Sequence, residues 1–192
     1  NLLLAKYLAD FPDQRKRSVL LIFQPGEEGP GGAKPMIDAG IFKKYPVKAI
    51  FGYHLFPFLE EGKLGTKAGP MMGQNSEFFI TVHGISGHAA EPQRSMDAIV
   101  ASASLITCLQ SIVSRNTNPM ESVVISIGLL NGGTRVNVVA DEVKLGGTIR
   151  SFSDKSHAKL HQRIEEVIKG VELTHGCNID LKFVDMYPPV IN

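Results

Sequence analysis

The apolar positions change period several times along the chain, and each change marks an element. Leu3, Leu4, Tyr7 and Leu8 lie on one side of a helix covering residues 1 to about 10. The basic stretch DQRKRS then turns the chain. Ser18 to Phe23 (SVLLIF) is a nearly continuous apolar run, the pattern of a strand covered on both faces, and it predicts a strand over 18–24. A short helix is expected at 32–39, with Pro35 in its first turn and Gly40 as its stop. Lys48 to Tyr53 (KAIFGY) reads as a second buried strand. Strand, crossover helix, strand is a βαβ unit, whose parallel strands finish at the same edge of the sheet.

The style changes after EGKLGTKAG and GPMMGQN. Ser76 to His83 alternates partly and reads as a strand. Pro92 to Ser114 reads as a helix with Ile99, Ile106, Leu109 and Val113 among its apolar positions. Val123 to Leu130 and Glu142 to Arg150 read as strands around an Asn131-Gly132-Gly133 turn. Asp154 is expected to cap a helix running to about Thr174, with Leu160, Ile164, Val167, Ile168 and Val171 inward. Ile179 to Asp185 is the last strand. The order βαββαβ is that of a ferredoxin-like split βαβ domain. The expected fold class is therefore an α/β segment with a parallel βαβ unit over 1–74, followed by an α+β ferredoxin-like domain over 75–186. Residues 187–192 return into the first.

Composition narrows the class. With 43% hydrophobic and 20% charged residues, the 192-residue chain reads as a soluble globular protein. A formal net charge of +1, without a basic stripe, argues against nucleic acid as a partner. No apolar run approaches the roughly 18 residues of a bilayer span, and no signal-peptide pattern opens the chain. Cys108 and Cys177 lack CxxC spacing, which leaves zinc ribbons and redox motifs aside. Buried, reduced thiols in a cytoplasmic protein are the expectation. The chain starts inside a helical pattern without Met and ends just after a strand, so both ends read as cut from something longer.

The candidate chemistry begins at Glu27 and Glu28, in FQPGEEGPGG. Two like charges at the end of a buried strand repel, unless a cation holds one and frees the other as a proton carrier. That points to a metal-dependent hydrolase; the alternative is a solvated acidic loop. His54, after the second strand, falls on the same sheet edge and suits a metal ligand. In HGISGHAAEP, His88 is flanked by Gly87 and two alanines that leave its ring unshielded. It suits an oxyanion donor, or is a loop histidine without a role. Asn137, in GTRVN, can donate to a substrate carbonyl or cap a turn. Arg150 ends a strand and offers a fork to a carboxylate, or an edge-strand salt bridge. Arg94, Arg115 and Arg135 have weaker arguments. His157 and His161 have metal-compatible i, i+4 spacing but no visible third ligand, and read as an exposed helix face with His175 nearby.

FQPGEEGPGGAKPMIDAGIF, GYHLFP, SGHAAEP and GGTRVNVVADEVKLGGTIRSF together resemble the N-acyl-amino-acid amidohydrolases. This is the hippurate hydrolase and N-acetyldiaminopimelate deacetylase branch of the dinuclear metallopeptidases related to aminoacylase and carboxypeptidase. SIVSRNTNPMESVVISIG looks especially like the deacetylases. The resemblance spans essentially the whole chain. It implies that Glu27 is the general base, Glu28 and His54 are metal ligands, and His88 reaches across a dimer to the partner's site. Asn137 and Arg150 would contact the substrate's carbonyl and carboxylate. It also implies two divalent ions (zinc, manganese, cobalt or nickel), an N-acyl L-amino acid substrate, with acetyl as the expected acyl group, and a homodimer formed through the lid. Residues 1–74 would be part of the catalytic domain and 75–186 the lid. Gly26 stands where the family commonly has Ala, and the carboxylates stay in place. The family's upstream metal-binding segment and C-terminal histidine ligand have no counterpart here, so a complete two-metal site does not arise from these residues. The alternatives are a non-catalytic dimerisation module, or a dipeptidase or aminopeptidase of the same superfamily.

Overall fold

The structure, a computed structural model, describes residues 1–27 and 31–192. It divides into two units, Asn1–Glu60 and Glu61–Asn192. In the first, α1 (Leu2–Asp10) carries a Lys6–Asp10 pair one turn apart, and the Asn1 side chain donates to the Ile22 carbonyl at 2.7 Å. α2 (Ala33–Asp38) forms where the pattern places it and gives way at Gly40, whose φ is 83°. α3 (Ile41–Lys44) follows directly; at four residues it is too short to leave a periodicity.

The parallel βαβ unit expected here is not formed. Residues 18–24 and 48–53 carry no β-ladder. A strand buried on both faces is completed by neighbouring strands, and these segments find none among the described residues. Several of their apolar side chains stay open, with Phe23 58%, Ile50 65% and Phe51 83% exposed.

The second unit holds the core. Its strands are β1 (Pro70–Met72), β2 (Gln74–His83), β3 (Gly87–His88), β4 (Val124–Gly132), β5 (Val138–Val139), β6 (Glu142–Ser151), β7 (Asn178–Asp185) and β8 (Val190–Ile191). Its helices are α4 (Ala98–Asn116) and α5 (Asp154–His175). Four strands form an antiparallel sheet in the order β4-β6-β2-β7, while β1 pairs with β8 and β3 with β5. Along β2, Ser76, Phe78, Ile80 and Val82 are buried and Phe79, between them, is half exposed. One face thus packs on the helices, against Ala101, Leu105, Leu109 and Ile112 of α4 and Leu160, Ile164, Ile168 and Val171 of α5. Gly147 sits opposite Phe78; a Cβ there would lie 2.2 Å from the Phe78 ring, so the missing side chain makes room for the aromatic.

Several boundaries move for local reasons. Pro92–Arg94 is a 3₁₀ turn and Ser95 is extended, so α4 starts at Ala98, where Asp97 accepts from the Ile99 and Val100 amides. The cap of α5 is Ser153 rather than Asp154, which lies inside the first turn. α4 is long and apolar enough to cross a membrane by length and composition, which the expectation of no such run had missed. Its length serves the core instead: Ala98, Ala101, Ser102, Leu105, Leu109 and Ile112 are buried against the rest of the unit. Of the cysteines only Cys177 is buried, and burial pushes its thiol up; Cys108 faces solvent, so the expectation of two buried thiols holds for one.

Phe78→Ala tests where stability resides. Phe78 is fully buried at the centre of the sheet. Its truncation should cost about 3–5 kcal/mol, a large share of the roughly 5–15 kcal/mol that keeps a domain folded. The urea midpoint should fall with an unchanged slope. A loss under about 1 kcal/mol would mean that this core does not govern unfolding.

Candidate active site

The first group of candidates sits on loops of the first unit. The Gly31 amide closes on the Gly26 carbonyl at 3.0 Å, and Gly26 and Gly31 both take positive φ, at 64° and 91°. Gly32 lies so near that a Cβ would meet the Pro25 carbonyl at 2.0 Å. Only glycine lets the loop fold back this tightly, and the fold presents Glu27 to solvent in a turn. Glu28 lies outside the described residues. His54 is exposed, and its ring lies against Phe56 at 4.6 Å. Its Nδ1 is 2.9 Å from the Leu55 carbonyl. A carbonyl only accepts, so Nδ1 carries the proton and Nε2 keeps a lone pair for a metal. No hydrogen bond or ion pair joins Glu27 to His54 among the described residues.

The second group lies in the second unit, and here the structure brings two candidates together. β3 and β5 pair His88 with Val138, and the Ala89 amide donates to the Asn137 carbonyl at 3.1 Å. His88 and Asn137 are both exposed on this ribbon. The Ala90 amide donates to His88 Nδ1 at 3.1 Å, so that nitrogen is the acceptor and the neutral ring carries its proton on Nε2. An N–H thus faces outward from the ribbon whose backbone also holds Asn137.

Arg150 is not with them. It lies at the far end of β6, opposite Asn75 and Val124, whereas the β3–β5 ribbon joins the sheet near Glu142, opposite His83. Eight residues of strand separate the ends, roughly 25 Å. The guanidinium is exposed and donates to Thr148 Oγ1 at 2.9 Å and to the Ile149 carbonyl at 3.4 Å. β6 lies inside the sheet, so the edge-strand salt bridge is not what holds Arg150; no carboxylate pairs with it among the described residues.

One cluster was misread in the sequence. His157 is buried rather than part of an exposed face, and a third group stands beside the histidine pair. Asp185, on β7, lies with its carboxylate oxygen 3.2 Å from His157 Nε2 and 3.5 Å from His161 Nε2. Ser76, directly opposite Asp185 in the ladder, donates to that carboxylate and lies 2.8 Å from His157 Nε2. Ser151 Oγ is 3.1 Å from His157 Nδ1. The hydrogen bond from Ser76 is the main reason Asp185 is held below the usual carboxylate range. Burial, then His157, pushes His161 below the ordinary imidazole value. Serine, histidine and aspartate together suggest a nucleophilic triad, but both partners crowd the same ring nitrogen and Ser76 is sealed from solvent. The sequence did carry a signal: His157 and His161 lie on the stripe of Leu160, Ile164 and Ile168, which faces the core.

The family model for peptidase family M20/M25/M40 matches residues 1–192. The chain is similar to the N-acetyldiaminopimelate deacetylases of Bacillus subtilis (strain 168), 41% identical over 177 residues, and of Geobacillus sp. (strain WCH70), 42% identical over 189. These alignments cover 92% and 98% of this chain but 47% and 50% of the relatives, so it spans about half their length. A crystal structure from methicillin-resistant Staphylococcus aureus matches with a TM-score of 0.90 at 34% identity, over 100% of this chain and 51% of that one. The Bacillus subtilis YXEP protein, described as a dinuclear metal-binding peptidase of the M20 family, matches with a TM-score of 0.76 at 30% identity, over 98% of this chain and 46% of its own.

Proposed function

We propose that this chain, which belongs to peptidase family M20/M25/M40, is part of a metal-dependent amidohydrolase that removes an acyl group from an N-acyl-L-amino acid. The acyl group is taken to be acetyl and the amino acid L,L-diaminopimelate, by analogy with the deacetylases it resembles. The observation that carries the reading is the β3–β5 ribbon, where the Ala90 amide fixes His88 so that its Nε2–H is turned outward. Such a donor suits the oxygen of an amide under attack.

Glu28 and His54 would contribute to holding divalent ions (zinc, manganese, cobalt or nickel), and the outward Nε2 lone pair of His54 fits that task. When bound, such ions supply Lewis acidity at the scissile carbonyl. Glu27 takes the proton of the attacking water and passes it to the departing amine nitrogen. His88 donates to the oxygen that gains negative charge. Asn137 and Arg150 orient the amino-acid end through its carbonyl and carboxylate. Products are a carboxylic acid and a free amino acid, which fits a cytoplasmic enzyme of lysine biosynthesis.

In this reading residues 75–186 are a ferredoxin-like lid, residues 1–74 belong to the catalytic domain and 187–192 return to it. The lid dimerises. The roughly 25 Å along β6 between the His88–Asn137 ribbon and Arg150 supports this, because one lid cannot set all three on one amino acid. A partner subunit supplies the ribbon. β4 is a sheet edge that exposes Val124, Leu129 and Leu130, an apolar margin suited to a second copy.

The test is acetate release by the full-length protein with zinc, manganese or cobalt. N-acetyl-L,L-diaminopimelate is the substrate, with N-acetylmethionine, hippurate (read as benzoate) and a free dipeptide as controls. Metal-dependent release from the first alone is the expected result. Equal turnover of the acylated compounds would make the enzyme a general aminoacylase. Cleavage of the dipeptide alone would overturn the amidohydrolase reading.

A further inference from the structure

We propose that His157, His161 and Asp185 form a binding site for a first-row transition dication of the zinc class, built across α5 and β7. The proposed reaction gives these residues no role.

The donor set is two imidazoles and a carboxylate, all with metal-binding atoms within 4.8 Å of one another. Such a set suits zinc and its neighbours better than calcium or magnesium, which prefer oxygen alone. Bonds of about 2.0–2.1 Å in a tetrahedral zinc site place neighbouring ligand atoms ~3.3 Å apart. The carboxylate oxygen of Asp185 stands 3.2 Å from His157 Nε2 and 3.5 Å from His161 Nε2, close to that edge.

The surroundings are arranged as such a site needs. His157 Nε2 donates to Ser76 and Asp185 in this structure; on loss of that proton to an ion, Ser151 Oγ, 3.1 Å from Nδ1, would accept from Nδ1–H and hold the ring. Phe183 stacks on His161 at 3.8 Å with the rings nearly parallel, which fixes that ring. His161 Nε2 is buried without a hydrogen-bond partner among the described residues, a state that a coordinated ion would relieve. Asp185 is 55% exposed, so an ion has an approach and water has the fourth position. Ser76 would exchange its bonds to His157 and Asp185 for the ion's hold on the same atoms.

The test is titration of the 192-residue chain with Co²⁺, followed by its visible d–d absorption. His54→Ala is the background, which removes the imidazole assigned to the first unit. One ion per chain with bands of tetrahedral intensity, displaced by zinc, is expected. His161→Ala and Asp185→Asn should each weaken binding by about 100-fold or more, since loss of a group that merely orients a ligand already costs 10–100-fold. Far-UV circular dichroism checks the fold; Asp185→Asn, at an exposed strand end with unchanged shape, decides the case if His161→Ala unfolds. Absence of binding in the His54→Ala chain overturns the proposal, as does binding that both substitutions leave unchanged. Neither result bears on acetate release, so the amidohydrolase reading stands or falls separately.

Discussion

Glu27→Gln in the full-length protein is expected to lower kcat by roughly 10²–10⁴-fold while KM and bound metal stay near their starting values. The amide matches the carboxylate in shape but cannot take a proton from water or return one to the amine. The loop should not suffer. Glu27 is exposed, and the turn is held by the Gly31–Gly26 hydrogen bond and by the glycine at position 32, none of which uses the side chain. Initial rates and metal content by atomic emission check this together. A near-normal kcat would remove Glu27 from proton transfer. Loss of a metal ion with the activity would make it a ligand instead.

Mixing two inactive variants should restore activity. If the partner supplies His88, a dimer of one Glu27→Gln and one His88→Ala subunit keeps one intact site. That site joins Glu27 of the His88→Ala subunit to His88 of the other. Equal mixing with free exchange makes about half the dimers mixed, so activity should return to about a quarter of wild type. If His88 served its own subunit, every site in the mixture would lack one group and no activity would return. The difference between a quarter and none is large because each single substitution removes a group of the transition state. The separation of Arg150 from His88 along β6 is what makes the first outcome the expected one.

The second unit was legible because its sequence obeys local rules. Alternation in 76–83 and 142–150 and the apolar stripe on residues 160–171 each reflect one face turned to one core, whereas the turn expected at Asn131-Gly132-Gly133 comes later, because Asn131 and Gly132 still pair with β6. Helix starts were less secure, since both Asp97 and Ser153 compete with nearby residues that would also pass as starts. In the first unit the helices at Leu2–Asp10 and Ala33–Asp38 were legible, but the expected strands only as hydrophobic runs. A run such as SVLLIF states that a segment seeks burial, but its ladder depends on strands elsewhere, and no described strand pairs with it.

For the candidate site, the sequence by itself determined which residues carry chemistry. The glycine-framed Glu27 and Glu28, His54, His88, Asn137 and Arg150 stand out through residue type, neighbours and family resemblance. Only the tertiary structure decided where those of the second unit lie. It set His88 beside Asn137 through two short strands, and placed Arg150 at the opposite end of β6. It also turned two helix histidines inward and brought Asp185 from 24 residues beyond His161 in the chain to meet them. The physical reason is that periodicity reports the direction a side chain faces, whereas ladder register and helix packing fix which distant residue it meets.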